Sequence, residues 1–201
     1  MKYVVALNGS NVPGGNTDLL LSQAILGAAH AGCTVERVNV PLARIKPCLQ
    51  LYHCIHAAEC AIPDDAGIYY QMLRQADGII IASPIMTYGI PGTLKSFFDR
   101  CNPFYFAKYS RGTPLVSPEH AKLRRTLFLC ISGMDRDDIF DGAIKTVQTF
   151  CSIVDSPYFG GVFQNNMDEI RDIRTKPEKL REAYEAGHSL GTYICTGTGE
   201  A

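Results

Sequence analysis

Strand-like and helix-like segments alternate along this chain, and the alternation restricts the fold more than any other feature of the sequence. Apolar or alternating runs predict strands at residues 3–7, 34–39, 78–83, 125–131 and 158–163. Helices are predicted from residue 18 to the Ala31-Gly32 pair and at residues 67–75, 92–100, 140–152 and 179–193. Strands that are joined through helices pair in parallel, so we expect an α/β fold with a doubly wound five-stranded parallel sheet, order 2-1-3-4-5, and helices on both faces. The sequence has no linker or repeat, which predicts a single domain over residues 1–201.

Three loops of this predicted sheet share a composition of small and turn-forming residues. They follow the first, third and fourth strands and comprise Gly9–Thr17, Pro84–Gly92 and Ser132–Asp135. In a doubly wound sheet, ligands bind beyond the carboxyl ends of the strands, where the winding direction switches. For the order 2-1-3-4-5 this switch lies between the first and third strands, so we expect the three loops to meet at one site.

The first of these loops has the features of a phosphate site. It joins an apolar strand directly to a helix, and the first N–H groups of a helix are unpaired and lie at the positive end of its dipole. Ser10, Asn16 and Thr17 add small hydrogen-bonding side chains, and the glycines allow an anion to approach the backbone closely. A plain strand-to-helix turn with a Thr or Asn cap is the alternative.

Several kinds of phosphate ligand are excluded by the spacing of the loop residues. Gly9, Gly14 and Gly15 do not form the G-x-G-x-x-G pattern of dinucleotide sites, and no Gly-Lys-Ser/Thr precedes the helix. A phosphatase would need a nucleophilic cysteine here, and none occurs before Cys33. Residues 3–35 contain no lysine or arginine, so neutral donors and the helix dipole would hold the phosphate, which suits a monophosphate.

Composition limits the partners and the compartment. With 46% hydrophobic and 19% charged residues, and a net charge of −1, the chain gives no reason to expect a nucleic acid or an anionic membrane as partner. A strand that begins at residue 2 or 3 leaves no room for a signal peptide, and no apolar run approaches membrane-spanning length. The eight cysteines then indicate reduced thiols, and we expect a cytoplasmic protein.

Short segments occur in a characteristic order over residues 3–193: Gly9-Ser10 with Gly14–Thr17, Ile45–Cys48, Ala76–Ile80 with Ser83-Pro84, Leu94–Arg100 and Phe140–Ala143. In this order they resemble the NAD(P)H-dependent FMN reductases and iron–sulfur flavoproteins of flavodoxin-like fold. The resemblance implies an oxidoreductase in which FMN takes hydride from NAD(P)H and passes electrons to flavin, a quinone or another small acceptor. It also implies a homodimer or homotetramer.

The same resemblance implies which residues bind the cofactor. The phosphate would be held by Ser10, Asn11, Asn16 and Thr17. The flavin ring would lie against Pro84, Ile85, Met86, Thr87, Tyr88 and Gly89, with Ser132 and Gly133 along its other edge. The flavin carries the chemistry, so we predict no catalytic side chain from the protein. The chain departs from the family pattern at Val12 and Pro13, where the family often has a cation, and at Met86, where it often has an aromatic residue.

A loop between residues 40 and 65 carries cysteines whose spacing resembles that of the iron–sulfur members. The second position of their pattern is Leu51 here, which leaves Cys48, Cys54 and Cys60. A [4Fe–4S] cluster normally takes four thiolates, so we expect neither an iron–sulfur cluster nor another metal. Were a metal bound, these three cysteines would be its ligands, as a cluster completed by histidine or water or as zinc with His56. The other cysteines, Cys33, Cys101, Cys130, Cys151 and Cys195, are predicted to lie in the core.

Two points stay open at this stage. Residues 101–122, with the aromatic cluster Phe104, Tyr105, Phe106 and Tyr109, are predicted to be irregular and could form a lid, a dimer contact or a satellite core. The alternative function is a flavodoxin-like or iron–sulfur flavoprotein electron carrier, and a flavin-free scaffold is a third possibility. The near-neutral charge argues against an acidic carrier that docks on basic partners.

Overall fold

The computed structural model of the chain describes residues 1–198, in which five parallel strands form one sheet. The strands are β1 (Lys2–Asn8), β2 (Cys33–Asn39), β3 (Gly78–Pro84), β4 (Arg125–Ile131) and β5 (Tyr158–Gln164). Their order is β2-β1-β3-β4-β5, and all four pairings are parallel. This confirms the predicted fold class and strand order.

Helices cover both faces of the sheet. In chain order they are α1 (Asn16–His30), α2 (Ala66–Gln75), α3 (Gly92–Asp99), α4 (Asn102–Tyr109), α5 (Pro118–Leu123), α6 (Asp141–Ile153), α7 (Met167–Ile170) and α8 (Pro177–Thr196). The buried side chains of α1 and α8 pack on one face, and those of α2, α3, α4 and α6 pack on the other. Within residues 1–198, no helix combines the length and the apolar character needed to cross a bilayer.

The prediction that residues 101–122 are irregular is wrong, because the segment contains α4 and α5. Each helix begins with a proline in its first turn, where proline's missing N–H and fixed φ suit a helix start. Ser117 caps α5 by accepting a hydrogen bond from the backbone N–H of His120. Of the aromatic cluster, Phe104 is buried against Tyr70 with ring centroids 5.0 Å apart, whereas Tyr105 and Tyr109 are exposed.

Glycines bring α1 and α8 unusually close together. A Cβ added to Gly27 would lie 2.7 Å from the backbone nitrogen of His188 and would overlap the carbonyl oxygen of Tyr184. A Cβ added to Gly187 would lie 2.7 Å from the Cα of Ala24 and would overlap its carbonyl oxygen. At both positions the backbones of the two helices are in direct contact. This contact fixes the orientation of α1 relative to the sheet.

Four of the five cysteines predicted to lie in the core are buried, namely Cys33, Cys101, Cys130 and Cys151. The prediction is wrong for Cys195, which is exposed in the last turn of α8. Ile194 is the last buried residue of α8, and the next residue lies outside its apolar face.

Candidate functional site

A cleft of about 340 Å³ opens at the carboxyl edge of the sheet, where the winding direction switches. Its lining comes from the loop after β1, the loop after β3 and the end of β4, and consists of Gly9, Ser10, Asn11, Val12, Gly15, Asn16, Thr17, Pro84, Met86, Pro91 and Ile131. The structure thus brings two of the three predicted loops together at one cleft, with the last residue of β4 at its edge.

The loop after β1 is held in place by hydrogen bonds from its own backbone. The side chain of Asn8 accepts from the N–H of Ser10 at 3.0 Å, and the hydroxyl of Ser10 accepts from the N–H of Val12 at 3.2 Å. The N–H of Gly15 donates to the carbonyl of Val12 at 3.1 Å. These bonds fold the loop tightly over the amino end of α1 and leave the hydroxyl hydrogen of Ser10 free to donate.

Three residues that line the cleft have backbone donors without a partner in the described part of the chain. The N–H groups of Asn11, Asn16 and Thr17 have no acceptor within residues 1–198. Two of them belong to the first turn of α1, where the helix dipole is positive. The hydroxyl of Ser10 accepts one bond and still has its hydrogen to donate, and Thr17 lines the cleft with its hydroxyl side chain. The loop therefore presents neutral donors to an anion.

The side chain of Asn16 has a structural task that the sequence did not reveal. Its Nδ2 donates to the carbonyl of Arg171 at 2.8 Å, and its Oδ1 accepts from the N–H of Ile173 at 3.0 Å. Both ends of the amide are therefore used to tie the start of α1 to the segment after α7. Its contribution to the cleft is the backbone N–H and not the amide group that we expected.

An ion pair beside the loop was also missed by the sequence analysis. The carboxylate of Asp18 accepts from the N–H of Gly14 at 2.7 Å and pairs with the guanidinium of Arg37 on β2. Arg37 reaches the loop because β2 runs parallel to β1 in register, with Arg37 opposite Ala6. The pair offsets the charge that Asp18 would otherwise present to an anion at the helix start.

The loop after β3 contains a strained two-residue turn. Met86 and Gly89 exchange backbone hydrogen bonds of 2.8 and 3.0 Å, and between them Thr87 and Tyr88 have φ values of 50° and 59°. A β-branched residue at positive φ is unfavourable, so neighbouring groups must hold the turn. The turn packs closely against the start of α6, where Gly142 makes room for it, since a Cβ there would lie 2.5 Å from the carbonyl oxygen of Tyr88.

The loop after β4 is hydrogen-bonded to the end of β5 and to α7. The N–H of Ser132 donates to the carbonyl of Gln164 at 2.8 Å, and the carbonyl of Gly133 accepts from the N–H of Asp168 at 3.1 Å. Of the predicted cofactor-binding residues, Ser10, Asn11, Asn16, Thr17, Pro84 and Met86 line the cleft, whereas Ile85, Thr87, Tyr88, Gly89, Ser132 and Gly133 lie in the adjoining loops.

A second cavity, of about 200 Å³, contains the three cysteines of the 40–65 loop. Leu51, at the position of the missing cysteine, is 59% exposed, and Asn102 donates to the sulfur of Cys48 at 3.7 Å. Burial raises the pKa of Cys54, which favours the neutral thiol. In the part of the chain that the structure describes, no three or more His, Cys, Asp or Glu residues are arranged to hold a metal ion. This donor set does not fit a four-thiolate cluster.

A buried ion pair anchors the same loop to the sheet. The guanidinium of Arg100, at the end of α3, bonds the carboxylate of Asp64, and the two side chains are 1% and 3% exposed. Arg100 also donates to the carbonyl of Lys46 at 2.9 Å, and Asp64 accepts from the N–H groups of Lys46 and Ala66 at 2.9 and 3.0 Å. Arg100 thus joins two points of the loop to the end of α3, and Asp64 links the loop to itself and to the start of α2, so the pair sets the position of the cysteine cavity.

Replacing Asp64 by asparagine should lower the unfolding free energy of the protein at neutral pH, and should lower it by less at acidic pH. Burial alone would raise the pKa of Asp64, but hydrogen bonds from Arg100 and the loop backbone outweigh it and lower the pKa below its usual value. A carboxyl with a lowered pKa stabilises the fold above its unfolded pKa of about 3.9, and this contribution is lost as the pH falls through the folded pKa. At pH 7 the variant leaves Arg100 buried without its charge partner, which should cost about 3–5 kcal/mol.

Urea unfolding at neutral and acidic pH measures this effect. The difference in unfolding free energy between wild type and Asp64→Asn should shrink as the pH falls below the folded pKa of Asp64. Asp138→Asn is the matched control, because Asp138 is exposed and pairs with the exposed Arg136. A difference that stays the same at every pH would contradict the role given to the Asp64 charge.

The chain is similar in sequence to known flavoproteins over most of its length. The profile of the family described as NADPH-dependent FMN reductase matches residues 2–134, which include the loops after β1, β3 and β4 as far as Met134. An iron–sulfur flavoprotein from Methanosarcina thermophila is 31% identical over 173 residues, which cover 83% of this chain and 84% of that relative. An iron–sulfur flavoprotein from Methanocaldococcus jannaschii is 33% identical over 100 residues, 50% of this chain, and the match spans about half of that relative's length, 52%.

Solved structures support the fold. An NAD(P)H:quinone oxidoreductase from Methanothermobacter marburgensis superposes with a TM-score of 0.70 at 20% sequence identity, covering 94% of this chain and 96% of that one. At this level of identity the likeness concerns the arrangement of strands and helices.

Proposed function

Since the chain belongs to the NADPH-dependent FMN reductase family, and is therefore an oxidoreductase, we propose that it holds FMN in the cleft at the carboxyl edge of the sheet. NAD(P)H is the proposed electron donor, and free flavin, a quinone or another small molecule is the proposed acceptor. The observation that carries this proposal is the set of three unpaired N–H groups on residues that line the cleft, namely Asn11, Asn16 and Thr17.

The chemistry of the cleft suits a phosphate monoester at its α1 end. The three N–H groups, the hydroxyls of Ser10 and Thr17 and the dipole of α1 all favour an anion at the same place. No lysine or arginine of the described residues lines the cleft, so the charge of the phosphate would be balanced by dipoles. Larger polyphosphates usually require a cation and a divalent metal, which this loop does not supply.

The other end of the cleft suits a flat, largely apolar ring. Pro84 and Met86 line it from the loop after β3, and Ile131 lines it from β4. When bound, FMN would accept a hydride from the nicotinamide at its ring. The task of the protein is to orient that ring, and the turn at Thr87 and Tyr88, which packs against the start of α6, lies beside it.

Turnover with a series of acceptors tests this function. Protein saturated with FMN should oxidise NADPH or NADH rapidly when free FMN or a quinone is supplied. The same protein stripped of FMN, and assayed with quinone alone, is the control. Slow turnover with every small acceptor, but fast reduction of a redox protein, would instead support the electron carrier that the sequence left as the alternative.

The arrangement of the whole molecule is a separate proposal. We propose that residues 1–201 form one domain and that the chain assembles as a homodimer or homotetramer, as the family resemblance implies. Exposed apolar side chains at the rim of the cleft, including Val12, Met86 and Tyr88, are compatible with a neighbouring chain there. Light scattering on the purified protein would measure the number of chains.

A further inference from the structure

Two cysteines far apart in the sequence meet at the end of the sheet opposite the cleft. The sulfurs of Cys33 and Cys195 lie 3.9 Å apart, although the residues are separated by 162 positions. Cys33 is the first residue of the edge strand β2 and lies opposite Lys2, the first residue of β1. Cys195 lies in the last turn of α8, and Cys33 also contacts the carbonyl of Gly191 in that helix at 3.9 Å.

The two thiols differ in exposure. Cys33 is 6% exposed, whereas Cys195 is open to solvent. Burial, with a smaller contribution from Cys195, raises the pKa of Cys33 to about 12, so that its thiol is protonated at neutral pH. An oxidant in solution therefore meets Cys195 first, and Cys33 is the thiol next to it.

We propose that Cys33 and Cys195 form an intramolecular disulfide when the protein meets hydrogen peroxide. In the first step peroxide transfers an oxygen atom to the sulfur of Cys195, which gives a sulfenic acid and one water. In the second step Cys33 gives up its proton to the departing hydroxyl group as its sulfur attacks the sulfur of Cys195. The S–S bond forms, the S–O bond breaks, and a second water leaves with the proton of Cys33. One peroxide thus oxidises two thiols and is reduced to two waters.

The local structure permits the bond to close. The sulfurs must approach by about 2 Å to reach the length of a disulfide, which is about 2.05 Å. Cys195 is one residue from the end of α8, and Gly197 terminates the helix with a φ of 74°. The last turn of a helix has few internal hydrogen bonds to break, so it can adjust while β2 stays in place. The close packing of α1 on α8 holds the earlier part of the helix and keeps the two sulfurs neighbours.

The other cysteines give no comparable pair. Cys101, Cys130 and Cys151 are buried, so an oxidant in solution does not reach them. Cys48, Cys54 and Cys60 share a cavity, but among the described residues the sulfur–sulfur contact is the one between Cys33 and Cys195. We therefore predict one specific disulfide, which peptide mapping can identify.

The experiment treats the full-length protein with hydrogen peroxide, blocks the remaining thiols with N-ethylmaleimide and digests it without reductant. Mass spectrometry should find the peptide of Cys33 linked to that of Cys195, two fewer blocked thiols per chain, and reversal by dithiothreitol. Cys195→Ser should abolish the linked peptide, and Cys33→Ser should leave Cys195 as a sulfenic acid that dimedone captures. Cys151→Ser, which removes a buried thiol elsewhere, should leave the linkage unchanged.

Two results would overturn the proposal. One is a dimedone adduct on Cys195 in the wild-type protein with no peptide linked to Cys33. The other is a disulfide from Cys195 to a different cysteine or to a second chain. Because the linkage is measured on the peptides, the outcome does not depend on whether the protein binds FMN.

Discussion

Thr17→Asp should weaken FMN binding by at least about 100-fold, since two like charges placed side by side cost several kcal/mol. Thr17 is the second residue of α1 and lines the cleft beside the three unpaired N–H groups. A carboxylate at this position would face the phosphate and compete for the same donors. Because Thr17 is only 5% exposed, the new carboxylate would also be buried, and its cost to the fold has to be measured beside its effect on FMN. Titration of FMN fluorescence and thermal melting measure the two effects separately.

Riboflavin and a milder variant separate the role of the phosphate from general damage. Thr17→Val removes only the hydroxyl and should weaken FMN binding roughly 10- to 100-fold, the value of one hydrogen bond to a charged group. Riboflavin has the same ring without the phosphate, so its affinity should change little in either variant. Thr149→Val, on the exposed face of α6, is the control substitution. Equal losses for FMN and riboflavin would show that Thr17 does not face the phosphate.

Gly187→Ala should destabilise the protein by about 3 kcal/mol or more. The added methyl group would collide with backbone atoms, which cannot move aside as a flexible side chain can. The added methyl group would overlap the carbonyl of Ala24 and lie 2.7 Å from its Cα. Relief requires α1 and α8 to separate along their length. Separation would also move the amino end of α1, where the donors of the cleft are, so FMN affinity should fall as well.

Gly67→Ala is the matched control for this prediction. Gly67 lies in α2, and a Cβ there would meet no described atom within 4 Å. The control should be neutral or stabilising by about 0.4–1 kcal/mol, because alanine restricts the unfolded chain more than glycine does. Urea unfolding of both variants gives the two free energies. A Gly187→Ala protein as stable as the control would mean that the helices are not in backbone contact.

The fold was predictable because its signals are local. Alternation of apolar runs with amphipathic segments gives the five strands and the helices between them, and the uninterrupted apolar run at Gly78–Ser83 marks a strand that is covered on both faces. Residues 101–122, which we expected to be irregular, contain Pro103 and Pro118, and a proline can either break a helix or stand in its first turn, as both do here. The sequence alone does not distinguish these two roles.

Parts of the cleft were not predictable because they depend on distant segments. The loop after β1 was recognised from its glycines and small polar residues. The side-chain direction of Asn16 is set by Arg171 and Ile173, more than 150 residues away. Arg37 reaches Asp18 only through the register of two strands. Contacts of this kind leave no local pattern, so they were found only in the folded structure.

The visible absorption spectrum of the anaerobic protein, before and after addition of NADPH, decides between the function proposed here and its alternatives. Purified or FMN-reconstituted protein should show the two bands of oxidised flavin, and NADPH should bleach both of them within the time of mixing. Bound flavin that NADPH leaves unbleached, or protein that takes up no FMN at all, would contradict the proposed function.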